Sequence, residues 1–354
     1  MSDPIHEMLA DRPWLLADGA TGTNLFLAGL GHGDAPELWN VERTGPIYDL
    51  GKAFVDAGAD IILTNSFGGT RHRLKLHKAE DRVAELNAAA ARLARQAADG
   101  VGRRVLVAGS IGPTGELFQP LGPLTEADGV AAFREQAEAL AEGGCDLLWV
   151  ETMSSVEELK AAVEGAGASG LPIVCTMSFD TNGRTMMGVM PGEVAALVRQ
   201  LAPRPVAYGG NCGVGAAELV AALLNMAEAA EPEDILVAKS NCGIPEFVKD
   251  EIHYTGTPEL MADYARLAFD VGARIIGGCC GTTPMHLAAM HEALLRHEKG
   301  PKPSLEAIVA CLGAISTGAS EQQQAGGLLK RPEREGRRRR GRRREAERGD
   351  VPRF

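Results

Sequence analysis

Eight short apolar runs recur along this chain, each followed by a small-residue or polar loop and most then by a helix-forming stretch, and that rhythm limits the fold more than any other feature. The runs are Trp14 to Ala17, Asp60 to Leu63, Arg104 to Ala108, Asp146 to Val150, Pro172 to Thr176, Val206 to Tyr208, Ile235 to Ala238 and Ala273 to Ile276. They lack the polar-apolar alternation of a half-exposed strand, so each reads as a strand buried on both faces, as in a parallel sheet. Ile47 to Ala57, Asp81 to Ala98 and Thr125 to Glu142 read as helices, the last with Thr125 and Asp128 in a cap-like arrangement. Thr283 and Pro284 mark the start of another, as N-cap and first helical residue. Leu25 to Thr44 reads as irregular. Eight strand-helix units over about 285 residues match a (β/α)8 TIM barrel. An open doubly wound sheet is the alternative, but it calls for a glycine-rich dinucleotide fingerprint after the first strand, and none stands there in the required form.

A barrel brings the C-terminal ends of all its strands to one face, where such folds carry their chemistry. Asp18, Asn65, Ser110, Glu151, Cys212, Cys242, Cys279 and Cys280 all follow strand ends. Cys279 and Cys280 are adjacent, and Cα atoms about 3.8 Å apart are closer than a relaxed disulfide accepts. Two readings remain for the pair: buried apolar fillers, or ligands of a soft metal. With Cys212 they can supply three thiolates, the open arrangement of a catalytic zinc. Cys242 could add a fourth sulfur and close the site as a structural one. A zinc with three thiolates is already negative, so it suits capture of an incoming thiol better than activation of water. Asp18 and Glu151 could hold an ammonium group at the same mouth. The loops at Gly19-Ala20 and Gly109-Ser110-Ile111-Gly112 could offer backbone N–H groups to a carboxylate. A thiol with both groups is an amino acid such as homocysteine or cysteine.

Asp18-Gly19-Ala20-Thr21-Gly22, Thr64-Asn65-Ser66-Phe67-Gly68, Gly109-Ser110-Ile111-Gly112-Pro113, Glu151-Thr152, Gly210-Asn211-Cys212-Gly213 and Gly277-Gly278-Cys279-Cys280-Gly281 resemble the homocysteine S-methyltransferase family. The resemblance runs over residues 14–297. It implies that Cys212, Cys279 and Cys280 hold Zn2+, that Asp18 and Glu151 bind the homocysteine amine, and that a zinc-bound thiolate attacks an activated methyl group to give methionine. On the donor side it points to Trp39, Asn65 and Phe67. Betaine enzymes of the family use aromatic rings for the quaternary ammonium. Here Gly68-Gly69 follows Phe67 and Thr152 follows Glu151, two departures that resemble the homocysteine module of cobalamin-dependent methionine synthase instead. The chain lacks Asp-x-His-x-x-Gly, so a methyl-corrinoid donor calls for a partner protein; betaine or a related methylated compound is the alternative. A non-catalytic zinc or thiol sensor is the rival outside catalysis.

Seven cysteines, an odd number scattered through a chain without a secretion signal, disfavour a disulfide framework. Cys145 and Cys175 read as core fillers, His286 and His291 as helix-packing or surface residues, and Arg71-His72-Arg73 as a solvated helix approach. No apolar run reaches the roughly 18–20 residues of a membrane span, and the expectation is a cytoplasmic protein. The net charge of −11 argues against general nucleic-acid binding. It is uneven, however: from Lys330 to Phe354 twelve basic residues face five acidic ones, net +7, leaving −18 on the remainder. The expected organisation is a barrel over 1–300, an amphipathic helix over 301–316 with Leu305, Ile308, Val309 and Leu312 on one stripe, and a disordered basic tail over 317–354. The helix could cover the barrel or a second subunit. The tail could meet an acidic partner or nucleic acid, with a solubilising role as the default.

Overall fold

The computed structural model describes residues 3–31, 33–248 and 251–324, and the barrel expectation holds. The eight strands are Leu15–Leu16, Ile61–Leu63, Leu106–Ile111, Leu147–Met153, Ile173–Met177, Ala207–Cys212, Leu236–Ser240 and Ala273–Gly278. From the second to the eighth, the strands pair in parallel with their sequence neighbours, and the eighth pairs with the first. A single parallel bridge between Ala17 and Ile61 draws the ring toward closure. Every strand begins on an expected run, but several extend past it, so that Ser110, Glu151 and Cys212, expected in the loops after their strands, lie within the strands' C-terminal ends. Thr125 caps the helix Glu126–Glu142, its side chain accepting from the Asp128 N–H, and Thr283 caps Pro284–Arg296.

The barrel interior is packed with Leu15, Ala17, Ile61, Leu106, Ala108, Leu147, Trp149, Val174, Val237 and Ile275. A helix that the strand-helix rhythm does not reveal, Pro4–Asp11, joins this cluster through Ile5, Met8 and Leu9. Its partners lie low in the barrel, so it plugs the face opposite the strand C-termini. The segment expected to be irregular, Leu25 to Thr44, takes in the end of the helix Gly22–Leu27, the 3-10 turn Pro36–Leu38 and the helix Trp39–Glu42. Its order comes from buried polar contacts rather than period: Asn40 Nδ2 donates to the Asn65 and Leu86 carbonyls.

After the seventh strand the chain makes a two-stranded antiparallel excursion, Pro245–Val248 with Glu251–Tyr254, which strand-helix counting also misses. The amphipathic helix is Leu305–Leu312, with Ile308 and Leu312 buried, and it packs on Ala216–Ala229 and Pro258–Val271. Ordered structure then continues into the segment assigned to the tail. The helix Thr317–Gln324 is held by hydrogen bonds that composition does not register: Gly318 N–H to Asn182 Oδ1, and Gln322 Nε2 to the Gly183 carbonyl. The remaining tail positions, 325–354, lie outside the described residues.

The join before that helix carries a prediction. Glu218 is buried, and its two oxygens accept from Ser316 N–H at 2.8 Å and Ser316 Oγ at 2.5 Å. Glu218→Ala should cost about 2 kcal/mol, the scale of hydrogen bonds to a charged group. Urea denaturation reads the loss, and hydrogen exchange should accelerate at the amides of 317–324 and not in the barrel strands.

Candidate metal and substrate site

The sulfurs of Cys212, Cys279 and Cys280 lie within 4.8 Å of one another. Among the described residues they form the one such cluster of potential metal ligands. Backbone geometry places them. Cys212 ends the sixth strand at φ +59°, a left-handed conformation costly for a residue with a Cβ, and Gly213 follows at φ +78°. Cys279 and Cys280 leave the eighth strand through a loop clamped from several sides. The Cys279 N–H donates to the Ser240 carbonyl at 2.6 Å, and the Cys242 N–H donates to the Cys280 carbonyl at 2.8 Å. Gly281, at φ +79°, has no room for a side chain, because a Cβ there would meet the Tyr254 ring at 2.3 Å.

Cys242 therefore holds the loop by its main chain. Its own sulfur is buried and donates to the Gly256 carbonyl at 3.4 Å, outside the cluster. All seven cysteines are free thiols. Cys145 and Cys175 are buried among core residues, as expected, and burial pushes the Cys175 thiol up to about 12.

The cluster fits a tetrahedral soft metal. Zn–S bonds of about 2.3 Å imply S···S separations of about 3.8 Å, and Cys212 Sγ stands 3.6 Å from Cys280 Sγ. Electrostatics point the same way. Hydrogen bonds from Cys212 and Cys279 lower the Cys280 thiol well below its ordinary value. Cys212 is raised by its bonds to the other two sulfurs and by burial. For Cys279 the Cys212 bond lowers, but the Cys280 bond and burial prevail and push it up to about 12. One thiolate forms readily and suppresses the others, so a bound cation is what would let all three ionise together.

The trio forms part of the wall of a cavity of about 460 Å³ at the C-terminal end of the barrel. Gly19, Ala20, Asn65, Phe67, Ser110 and Glu151 line it too, so most of the expected site residues converge. Trp39 does not line it. That indole packs with Leu25, Leu30 and Ile47, and the Arg43 guanidinium lies 4.3 Å over its ring. Asn65 lines the cavity, but its amide is committed, donating to the Pro36 carbonyl and to Asn40 Oδ1. Gly68 is small for a visible reason: a Cβ would stand 2.9 Å from Glu37 Oε1, which accepts the Gly68 N–H at 2.7 Å. Phe26 and Tyr254, unmarked in the sequence, add rings to the wall.

Glu151 is buried and accepts from Ser110 Oγ at 2.5 Å. Asp18 does not line the cavity. Its Oδ1 accepts from Lys239 Nζ at 2.7 Å and its Oδ2 from the Leu63 N–H at 2.7 Å. Lys239, which no sequence motif marks, also belongs to the site. It is 2% exposed, lines the cavity, and sits 5.3 Å over the Trp149 ring. Burial would depress its ammonium, but Asp18 and Glu151 outweigh burial, so the net shift is upward and the lysine is charged. Burial likewise raises Asp18, with Lys239 and the Leu63 N–H pulling against it. The available signal was a lone cation ending a strand otherwise buried on both faces. The loop amides expected to meet a carboxylate are partly used: Ala20 N–H donates to the Thr282 carbonyl, Ser110 N–H to Thr64 Oγ1 and Gly112 N–H to the Phe67 carbonyl.

His286 completes the cap of its helix with Thr283, and His291 packs against Trp14 and Gly58, in line with packing roles. Arg71 pairs with Glu135 at an exposed site. Among the described residues no helix is long and apolar enough to cross a membrane.

Comparison with known proteins adds to this geometry. The family model described as homocysteine S-methyltransferase matches residues 15–294. A methionine synthase of Mycobacterium tuberculosis is 30% identical over 298 residues, covering 79% of this chain and 24% of that protein. The methionine synthase of Mycobacterium leprae is 29% identical over 328 residues, covering 88% and 27%. The chain thus spans about a quarter of the length of these curated relatives. Among solved structures, the metallated form of the homocysteine methyltransferase MmuM from Escherichia coli superposes with a TM-score of 0.69 at 28% identity, covering 82% of this chain and 99% of that one. Its oxidized form gives the same TM-score at 27% identity.

Proposed function

The chain belongs to the homocysteine S-methyltransferase family, and on that premise we propose that it is a zinc-dependent enzyme that methylates homocysteine to methionine. The observation that carries the reading is the placement of three cysteine sulfurs within 4.8 Å of one another on the wall of a cavity that also contains Glu151. Cys212, Cys279 and Cys280 would hold the metal, leaving a fourth position for substrate. A zinc ion bound there would keep the homocysteine sulfur ionised at neutral pH without a protein base. Glu151, fixed by Ser110, receives the substrate ammonium. Asp18 supports this end of the site through Lys239. The clamped loop turns Cys279 and Cys280 toward the cavity, so a homocysteine thiolate held there would face the mouth and could attack the donor methyl in line, the new S–C bond forming as the methyl leaves and its former bonding pair stays on the donor.

For the donor we favour a methyl-corrinoid carried by another protein or by a part of a larger protein, as in a split methionine synthase. Gly68 and Thr152 stand where the betaine enzymes call for rings, and Trp39 packs away from the cavity. A small methylated cation such as betaine is the second reading, favoured by Phe26, Phe67 and Tyr254 on the cavity wall near the carboxyl of Glu37. A methyl-transfer assay on zinc-loaded protein, comparing methylcobalamin with betaine and following methionine, decides between them. We expect turnover with methylcobalamin; turnover with betaine alone would reverse the assignment, and methylation of homocysteine by neither would count against the corrinoid and betaine readings together. A zinc or thiol sensor is the rival reading. X-ray absorption separates it: three sulfurs rising to four on adding homocysteine fits an enzyme, whereas four sulfurs beforehand would fit a closed site.

A further inference from the structure

We propose that Lys239 reads the carboxylate of the amino-acid substrate, so that Glu151 and Lys239 together form a cradle for a zwitterion. This rests on the homocysteine reading above and assigns the recognition of one end of that substrate. The argument begins with hydrogen-bond capacity. An ammonium has three N–H donors, and Asp18 Oδ1 is the single acceptor that Lys239 has among the described residues. The side chain is 2% exposed yet lines the cavity, so its remaining donors have little access to bulk water. Burying a charged group with unused donors is costly, and a ligand anion repays that cost.

The neighbours of Lys239 narrow the identity of that anion. Asp18 has both oxygens engaged and is withdrawn behind Lys239, so the cation rather than the carboxylate faces substrate on this side. Glu151 offers the opposite charge on the same wall. In the two loops expected to meet a carboxylate, the amides of Ala20, Ser110 and Gly112 are already taken within the protein. Trp149 supports the lysine from below, its ring face 5.3 Å from Nζ, and is itself fixed by a hydrogen bond to Thr176 Oγ1. The cation is thereby held in one place, as discrimination between a carboxylate and its absence requires.

The test is a binding measurement that needs no methyl donor. Calorimetry on zinc-loaded protein would compare homocysteine with 3-aminopropane-1-thiol, which keeps the thiol and amine but lacks the carboxylate. Wild-type protein should bind homocysteine about 30-fold more tightly, and Lys239→Gln should reduce that preference to within about threefold. Equal weakening of both thiols by K239Q would show that the lysine acts only through Asp18, and would overturn the proposal. Should K239Q fail to fold, the wild-type protein still decides with homocysteine methyl ester, whose neutral head should bind about 30-fold more weakly than the acid; equal affinity would overturn the proposal. Failure of both thiols to bind the zinc-loaded wild type would instead remove the homocysteine reading itself.

Discussion

Cys280→Ser should strip the protein of its metal and abolish methyl transfer, with C212S and C279S behaving alike. Thiolate zinc sites bind with about 10–16 kcal/mol in total, so one ligand of about four accounts for roughly 3–4 kcal/mol, or about 10²–10³-fold in affinity. Cys280 is the thiol most easily ionised, lowered by hydrogen bonds from Cys212 and Cys279. Its loss removes the first anion to attract a cation and one of the three sulfurs that would hold it. Cys242→Ser is the control. That sulfur donates to the Gly256 carbonyl and not to the cluster, so metal content should stay at one per chain. Metal analysis after dialysis against a weak chelator reads both results. Retention of full zinc by C280S, or its loss from C242S, would mean that the ligands have been assigned wrongly.

The barrel and its sulfur cluster were legible because each left a local mark. A strand buried on both faces shows as a short apolar run, and the glycine and polar residues that follow mark its C-terminal end; Cys212 is the last residue of its strand, and Cys279 and Cys280 come directly after theirs. What depends on long-range packing was not legible. The plug Pro4–Asp11 has an ordinary amphipathic sequence, and only a barrel floor in need of cover gives Ile5 and Leu9 their place. Trp39 stands in a stretch with no apolar period, and only its packing against Leu25, Leu30 and Ile47 turns the ring away from the cavity. The position of Asp18 after the first strand suggests an amine ligand, but the cation paired with it here comes from 221 residues later in the chain. Residues that pair across the barrel cannot be paired from spacing alone, since a barrel brings every strand end near every other.

Glu151→Gln should weaken homocysteine binding about 100-fold while leaving zinc content unchanged. The expected loss is that of a buried charge-assisted hydrogen bond to the substrate ammonium. Asp18 cannot substitute, since Lys239 and the Leu63 N–H hold both its oxygens. The amide keeps the size of the side chain and its contact with Ser110, so the change removes charge and little else. A pH signature separates this role from a structural one. Burial, with help from Cys279 and Asp18 and against Lys239 and Ser110, pushes the Glu151 carboxyl up to about 7 in the metal-free protein, from an ordinary 4.5. A raised acid holds its proton longer in the folded chain than in the unfolded one. Its contribution to stability is therefore fully present below about 4.5 and is lost as pH climbs to about 7, an upper limit of about 3 kcal/mol. Metal-free wild type should lose urea resistance relative to E151Q across that window, whereas the two should differ little at pH 4. Parallel curves for the two proteins would show that Glu151 is ionised throughout. Loss of zinc from the variant would instead place Glu151 with the metal rather than with the substrate amine.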